Sequence, residues 1–586
     1  MTAPALRLIV FAAVAAALGG PAWAQSAAPQ DAAPEAASGV ALSLRPAVRA
    51  ERQMIATANV HASAAGHQML RAGGSAVDAA IAAALMLNLT EPQSSGIGGG
   101  AFMLTWDARR QAILAFDGRE TTPASAQPTR FMRPDGRPMA FGDAVNSGLS
   151  VGVPGLLRML ELAHQRHGKL PWAHLFDPAI ALAESGFAVS ARLNALIASD
   201  PFLKNDAAAK AYFFDAAGRP LAVGATLRNP AFAAVLRRVA REGPDAFYRG
   251  EIARDMAAAV ARHARPGDLS EQDLQSYRAM LRPVLCGPYR AYRVCGMPPP
   301  SSGGIAVLAL LGVLEPFDLS RLQPNSAQAV HLFSEAGRLA YADRDFYVGD
   351  PDFVPVPTGA LVEADYLKSR SALIAPSSSM KRAQHGVPPG VKVSWSADDR
   401  SELPATSHVS VVDQDGLAVS MTTTIESQFG SRIMVHGFLL NNQLTDFALN
   451  PQEGGRPVAN RVEPGKRPRS SMAPTLVFDG QGRFFMATGS PGGSSIINYV
   501  AKALVGVIDW KLDIQQAIAL PNRGSRNRAT EIEKGSVLEA LTAPLQAMGH
   551  EVQAIEMTSG LQGIVVTPSG LLGGADPRRE GVVLGD

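Results

Sequence analysis

Apolar positions recur at helical spacing over residues 60–71, stop at Gly73-Gly74, and resume after Ser75 in an alanine-rich run containing Ile81 and Leu85. Asp78 follows Ser75 by three residues, a variant of the capping box that predicts the start of a second helix. The pattern breaks at Gly96 and at Gly98 to Gly100, and stretches from Ala101 and over 112–116 read as strands. From about residue 153 to 370 helical segments alternate with short extended ones, and Pro298 to Gly304 reads as a loop opening a helix from Ile305. Periodicity then disappears between 377 and 404, where Ser, Pro, Gly and charged residues predict a mobile segment. Two alternating runs follow, flanking an Asp415-Gly416 turn signal, in a hairpin that begins at Thr406. A turn centred on 414–415 or on 415–416 sets Thr406 opposite Thr423 or Ile425, and either register brings Thr424 close to it. Beyond lie an apolar strand from Gly437 that ends in amides and Asp446, a strand over 483–488, and a glycine loop feeding a helix over 495–508.

Composition places these elements in a soluble globular protein: 586 residues, 47% hydrophobic and 18% charged, enough for a sizeable core. With 54 Lys and Arg against 52 Asp and Glu the formal charge is +2, too balanced to draw nucleic acid or an anionic membrane surface. Arg7, the apolar run 8–18 and Ala22-Trp23-Ala24 read as a signal peptide over residues 1–24, its run too short to span a bilayer, with an uncleaved membrane anchor as the alternative. The mature protein is therefore expected in the periplasm or medium, free of the membrane, behind a disordered leader over 25–47. Export bears on the two cysteines. Cys286 and Cys295 flank a hairpin-like segment, and both a structural disulfide and two free buried thiols fit that placement.

The chemistry gathers around Thr406 and Thr424, although two nearby threonines also suit plain strand propensity. Arg119, near a strand end after Gly118, can fork onto a carboxylate or join a surface ion pair. Gly492-Gly493 before a helix offers backbone N–H groups suited to an oxyanion, or a plain strand-to-helix turn. The glycines at 96–100 follow a helix and precede a strand, the reverse of a dinucleotide fingerprint, and fit a strand packed too closely for side chains. No Gly-x-Ser-x-Gly elbow, Walker loop or metal-type histidine string is present, and His408 reads as structural.

Several segments together resemble the γ-glutamyltransferase (γ-glutamyltranspeptidase) family of the N-terminal-nucleophile hydrolase superfamily. They are Gly73 to Ala80, Pro92 to Phe102, Arg119 to Thr121, Pro298 to Gly304, Thr406 to His408 with Thr422-x-Thr424, Leu440 to Gln443, Arg467 to Met472, and Gly489 to Gly493. The resemblance implies an α+β fold, a four-layer αββα sandwich built jointly by a large subunit, 48–405 with a flexible tail from about 377, and a small subunit, 406–586. It implies a precursor that cleaves itself between Ala405 and Thr406, with no cofactor and no metal. The freed Thr406 would attack the γ-carbonyl of glutathione or another γ-glutamyl donor, its own amine serving as base. Gly492 and Gly493 would hold the oxyanion and Thr424 would bond the nucleophile. Arg119, Ser470 and Ser471 would bind the donor α-carboxylate, and Gln443 and Asp446 its ammonium. Water or an amino acid or peptide amine would take the acyl group, and the two subunits would remain a heterodimer.

One position departs from the family pattern. Thr-x-Thr-x-Asn commonly appears in such proteins, whereas this chain has Glu426 at the last position. An acceptor-only anion there repels a carboxylate and can pair with an ammonium. The loop between Phe447 and Ser470 also lacks the aromatic that often covers the pocket. Two rivals follow: a related acylase of the cephalosporin acylase type that removes a glutaryl-like side chain, and an exported binding protein with a dead, uncleaved site.

Overall fold

The computed structural model describes residues 45–398 and 405–586. The expected signal peptide, the leader up to residue 44, and residues 399–404 lie outside the described residues. Before residue 398 the chain supplies strands β1 (Val48–Ala50), β2 (Met54–Thr57), β3 (Gly100–Asp107), β4 (Ala112–Gly118), β5 (Met280–Arg282), β6 (Leu285–Tyr289) and β7 (Tyr292–Gly296). After residue 405 it supplies β8 (Thr406–Val412), β9 (Ala418–Thr424), β10 (Thr475–Phe478), β11 (Phe484–Gly489), β12 (Gln562–Thr567), β13 (Gly570–Ala575) and β14 (Val582–Gly585). They form two seven-stranded sheets, ordered β14-β2-β8-β9-β3-β4-β5 and β1-β13-β12-β11-β10-β7-β6. Each sheet takes strands from both sides of the Ala405-Thr406 bond, so neither half closes a sheet alone.

Six helices matter for the site: α1 (Val60–Arg71), α2 (Ala76–Thr90), α3 (Ala191–Ser199), α4 (Gly303–Leu314), α5 (Ala327–Tyr347) and α6 (Ile496–Ile508). Their ends follow local chemistry. Asn59 caps α1 by accepting from the His61 N–H, and Ser75 with Asp78 closes a reciprocal capping box on α2. Strand alternation then sets the layers. Ala101 and Met103 of β3 pack with α1 and α2, while Phe102, Leu104 and Trp106 point the other way, into a core shared with β10, β11, α4 and α6. The result is the expected four-layer α-β-β-α sandwich.

Cys286 and Cys295 are direct partners in the β6–β7 hairpin and form a disulfide, with Cα atoms 4.1 Å apart. Their sequence separation of 9 closes a short loop, for which the chain-entropy relation gives about 2.5–3 kcal/mol. Replacing both by serine is expected to lower the unfolding free energy by about that amount, read as a lower denaturation midpoint in urea. An unchanged midpoint would count against the bond's contribution.

Of the stretch expected to be mobile, residues 377–398 are among the described residues. Residues 377–398 hold no helix or strand, as their polarity implies, yet they are tied to the body. The Ser379 hydroxyl and Met380 N–H both donate to Glu335 at 2.8 Å, and the Ala383 N–H donates to Asn527 at 2.7 Å. His385 stacks on Phe346, and Val391, Val393 and Trp395 pack against the second core. Long-range partners invisible to a composition argument hold this part down.

Candidate active site

The β8–β9 hairpin has neither of the two expected registers. Asp413 accepts from the Asp415 and Leu417 N–H groups, Gly416 adopts φ +81°, and the chain reverses over residues 414–416. That is a three-residue loop with glycine in the left-handed position, one residue longer than the turns the sequence suggested. Thr406 therefore lies directly opposite Thr424. The Thr406 hydroxyl donates to Thr424 Oγ1 at 3.3 Å, and the Thr424 hydroxyl donates to the Ala405 carbonyl at 2.7 Å. The Glu426 N–H donates to Thr424 Oγ1 at 2.8 Å, which fixes that hydroxyl's outward direction. Ala405, Thr406 and Thr424 are all buried.

Loop 91–99 packs behind this pair. A side chain at Gly98 or Gly99 would come within 2.1 Å of the Leu439 or Thr424 carbonyl oxygen. These glycines serve close backbone packing, as their order in the sequence suggested.

In front of the threonines a narrow cavity of about 10 Å³ is bounded by Arg119, Thr406, Thr424, Glu426, Gln443, Asp446, Ser470 and Gly493, with Met472 and Ile496 as apolar walls. Arg119 is fully buried at the end of β4, donating to Asp446 at 2.5 Å and to the carbonyls of Pro468 and Arg469 at 3.2 and 2.8 Å. Gln443 Nε2 also donates to Asp446, at 2.7 Å. Gln443 and Asp446 sit on a single 3-10 turn, Gln443–Asp446, where the sequence suggested the end of a longer strand; only Phe438–Leu439 is extended. Adjacent Glu120 is buried, and desolvation, partly offset by Arg119, pushes its carboxyl up to about 8, so it holds a proton at neutral pH.

Glu426 accepts from Asn442 Nδ2 and holds φ at +80°, a backbone region where non-glycine residues are uncommon. Gly492 and Gly493 adopt φ +134° and +55° at the entry to α6, and a side chain at Gly492 would come within 2.5 Å of Tyr499. Gly493 lines the cavity and Gly492 directly precedes it. Ser470 reaches the cavity, and its carbonyl accepts from the Ser302 N–H at 2.7 Å, pinning the 470 loop to the 300 loop. Ser471 does not border the cavity; its hydroxyl accepts from Arg344 at 2.7 Å. His408 is buried between the sheets against Thr422 and Ser410, and burial holds its imidazole down to about 3, which fits a structural role.

The structure adds residues that sequence reasoning did not single out. Arg579 donates to the Thr406 carbonyl at 2.9 Å, and Glu91 and Arg192 stand behind it. No local pattern marks them, since their partners lie in distant parts of the chain.

Among the described residues, one cluster has metal-ligand character: His331, Glu335 and His550, with donor atoms within 4.8 Å. Those atoms are engaged elsewhere. The two imidazoles are 2.8 Å apart, and Glu335 accepts from Arg338, Ser379 and the Met380 N–H. A guanidinium on the carboxylate opposes a cation there, so the cluster reads as a hydrogen-bonded clamp.

Residues 62–586 match the family model described as Gamma-glutamyltranspeptidase. The "Glutathione hydrolase proenzyme" of Escherichia coli (strain K12) is 38% identical over 586 residues, covering 97% of both chains. The "Acylase ACY 1 proenzyme" of Pseudomonas sp. (strain SE83) is 35% identical, covering 89% of this chain and 91% of that one. Among solved structures, cephalosporin acylase from Bacillus halodurans superimposes with a TM-score of 0.80 at 26% identity, covering 93% of this chain and 97% of that one. No helix among the described residues is long and apolar enough to cross a membrane.

Proposed function

Because the chain belongs to the gamma-glutamyltranspeptidase family, we propose that it is an exported, self-cleaving enzyme that moves γ-glutamyl groups from glutathione or related donors to water or an amine. The observation that carries this reading is the hydroxyl relay from Thr406 through Thr424 to the Ala405 carbonyl. In processing, Thr406 Oγ attacks the Ala405 carbonyl carbon while Thr424 donates to the oxygen on which charge develops. The C–N bond breaks, its nitrogen takes up the hydroxyl proton, and water hydrolyses the resulting ester, freeing the Ala405 carboxylate and the Thr406 amine. Strands from both halves interleave in both sheets, which supports a heterodimer that persists after the cut.

In turnover the Thr406 amine takes the proton of its own hydroxyl, whose oxygen attacks the γ-carbonyl. The Gly492 and Gly493 amides face the developing oxyanion, and the proton passes to the leaving amine. Water or a second amine then attacks the glutamyl ester and restores Thr406. Arg119, with Ser470, receives the α-carboxylate, while Ser471 stays behind the wall on Arg344; Gln443, Asp446 and Glu426 receive the α-ammonium. Expression followed by N-terminal sequencing tests the whole: a new terminus at Thr406 is expected, and a single uncleaved chain would sink it.

The acylase relatives supply the second reading, a donor with a glutaryl-like side chain. Two carboxylates on one cavity, Glu426 and Asp446, favour a donor that carries an ammonium. Glu426→Gln is expected to raise KM for a γ-glutamyl anilide about tenfold, about 1.4 kcal/mol, and to leave turnover of the matching glutaryl anilide unchanged or improved. Equal effects on both donors would show that Glu426 does not meet the ammonium.

A further inference from the structure

We propose that a second cavity, of about 380 Å³, is a binding site for a free α-amino acid with an apolar side chain, separate from the donor cavity in front of Thr406. Its volume lies in the range of small-ligand sites, about 300–1,000 Å³. Both halves of the chain build it, residues 121–124, 153 and 273–280 before the Ala405-Thr406 bond and 464–467 after it. The two cavities share no lining residue. Arg119 stands between them: its guanidinium borders the donor cavity, and its carbonyl accepts at 2.7 Å from the hydroxyl of Tyr277, which lines the second. An amino acid held there is a ligand in its own right, not the amine that takes the glutamyl group from Thr406.

The cavity offers a charge of each sign. Arg467 is 6% exposed, and the rest of its surroundings are accounted for. Its backbone N–H donates to Asp350 at 2.8 Å, its Nη2 donates to the Arg278 carbonyl at 2.9 Å, and its Nε lies 3.4 Å from Asp117 without completing a hydrogen bond. Among the described residues its Nη1 has no hydrogen-bond partner, which leaves that nitrogen for a carboxylate in the cavity. Arg278, exposed at the mouth, adds a second guanidinium whose Nη1 is held on the Gln275 and Tyr277 carbonyls at 2.9 and 2.7 Å. Opposite in sign is Asp273. Its Oδ1 accepts from the Ala124 N–H at 2.8 Å, and its Oδ2 accepts from the Ser270 N–H and hydroxyl at 2.9 and 2.6 Å. An ionised carboxylate offers about four acceptor directions, so three donors leave about one for an ammonium.

The remaining walls select the side chain. Val153, Met280, Pro464 and the Tyr277 ring are apolar, and the hydroxyls of Thr122 and Ser276 are already given to the Glu463 and Asp273 carbonyls. A zwitterion with an aliphatic side chain meets both charges and covers that surface, whereas an acid or an amine alone faces the like charge of Asp273 or of Arg467 uncompensated.

Equilibrium dialysis of radiolabelled L-leucine against the purified parent, with no donor present, tests the site. Saturable binding is expected, weakened at least about tenfold in Arg467→Met. That substitution leaves Asp117 its 3.0 Å bond from Arg282. Ala124→Trp, at an exposed position on the rim, is expected to abolish binding by filling the cavity, and it remains informative if the methionine variant fails to fold. Isocaproate and isoamylamine, each carrying one of the two charges, are expected to compete at least about tenfold less well than unlabelled leucine. Glu426→Gln, which alters the donor cavity, is expected to leave leucine affinity within about twofold. No saturable binding, binding that survives Ala124→Trp, or binding that Glu426→Gln weakens as much as Arg467→Met would overturn the proposal. A parent that stays a single full-length band yet binds leucine in this pattern would overturn only the nucleophile reading.

Discussion

Thr406→Ala is expected to accumulate as one uncleaved chain with γ-glutamyl turnover at least about 10⁴-fold below the parent. In the proposed mechanism the same hydroxyl attacks twice, first the Ala405 carbonyl and then the donor, so its loss would remove both events. The substitution spares the fold, because Thr406 pairs with Thr424 through backbone in β8 and β9 and its hydroxyl donates to Thr424 Oγ1 at the cavity wall. Thr406→Ser keeps a hydroxyl and is expected to be cleaved, which separates loss of chemistry from misfolding. Thr424→Ala retains the nucleophile but removes the donor to the scissile carbonyl, and slower processing by about 10²–10³ is expected. Normal cleavage of Thr406→Ala between Ala405 and Thr406, seen by N-terminal sequencing, would mean that another group attacks.

Arg119→Gln is expected to lower kcat/KM for γ-glutamyl donors by about 10³, near 4 kcal/mol, with cleavage at Thr406 intact. A donor α-carboxylate entering the cavity meets Arg119 as its buried cation, and a guanidinium can engage it with two parallel bonds. Lysine is no substitute at a forked site, so Arg119→Lys is expected to recover less than a tenth of the loss. The variant also takes from Asp446 its 2.5 Å guanidinium partner inside the protein, leaving it the Gln443 amide donor. Pairing Arg119→Gln with Asp446→Asn removes that buried charge and is expected to restore thermal stability without restoring activity. Recovery of activity in the pair would show that Arg119 serves the fold rather than the donor.

The parts of this site that could be read in advance share one property: their partners are near in sequence. Ser75 and Asp78 announce α2 because a cap is a contact across three residues. Thr406 and Thr424 were expected to meet because a hairpin joins them, and even there the register escaped by one residue. A turn signal marks where a chain reverses, whereas the number of residues in the loop depends on how Asp413 bonds the Asp415 and Leu417 amides. Arg119, Ser470, Gln443 and Asp446 were named through family resemblance, and the structure brings all four to one cavity. Ser471 stands apart, bonded to Arg344, which no pattern around residue 471 foretells.

By itself the sequence determined the secondary elements, the alternation that makes a layered sandwich, and the threonine at the head of a hairpin, because those depend on period, capping and turns over a few residues. Only the tertiary structure decided what surrounds that threonine. The sheet order places the β13–β14 turn, the end of α2 and the start of α3 behind β8, and so delivers Arg579, Glu91 and Arg192 to Thr406. It also pins residues 377–398 to α5 and to Asn527, although their composition pointed to mobility. Charges separated by hundreds of residues become neighbours only when the strands between them have paired. In a buried site those neighbours, more than the residue types themselves, set which proton moves.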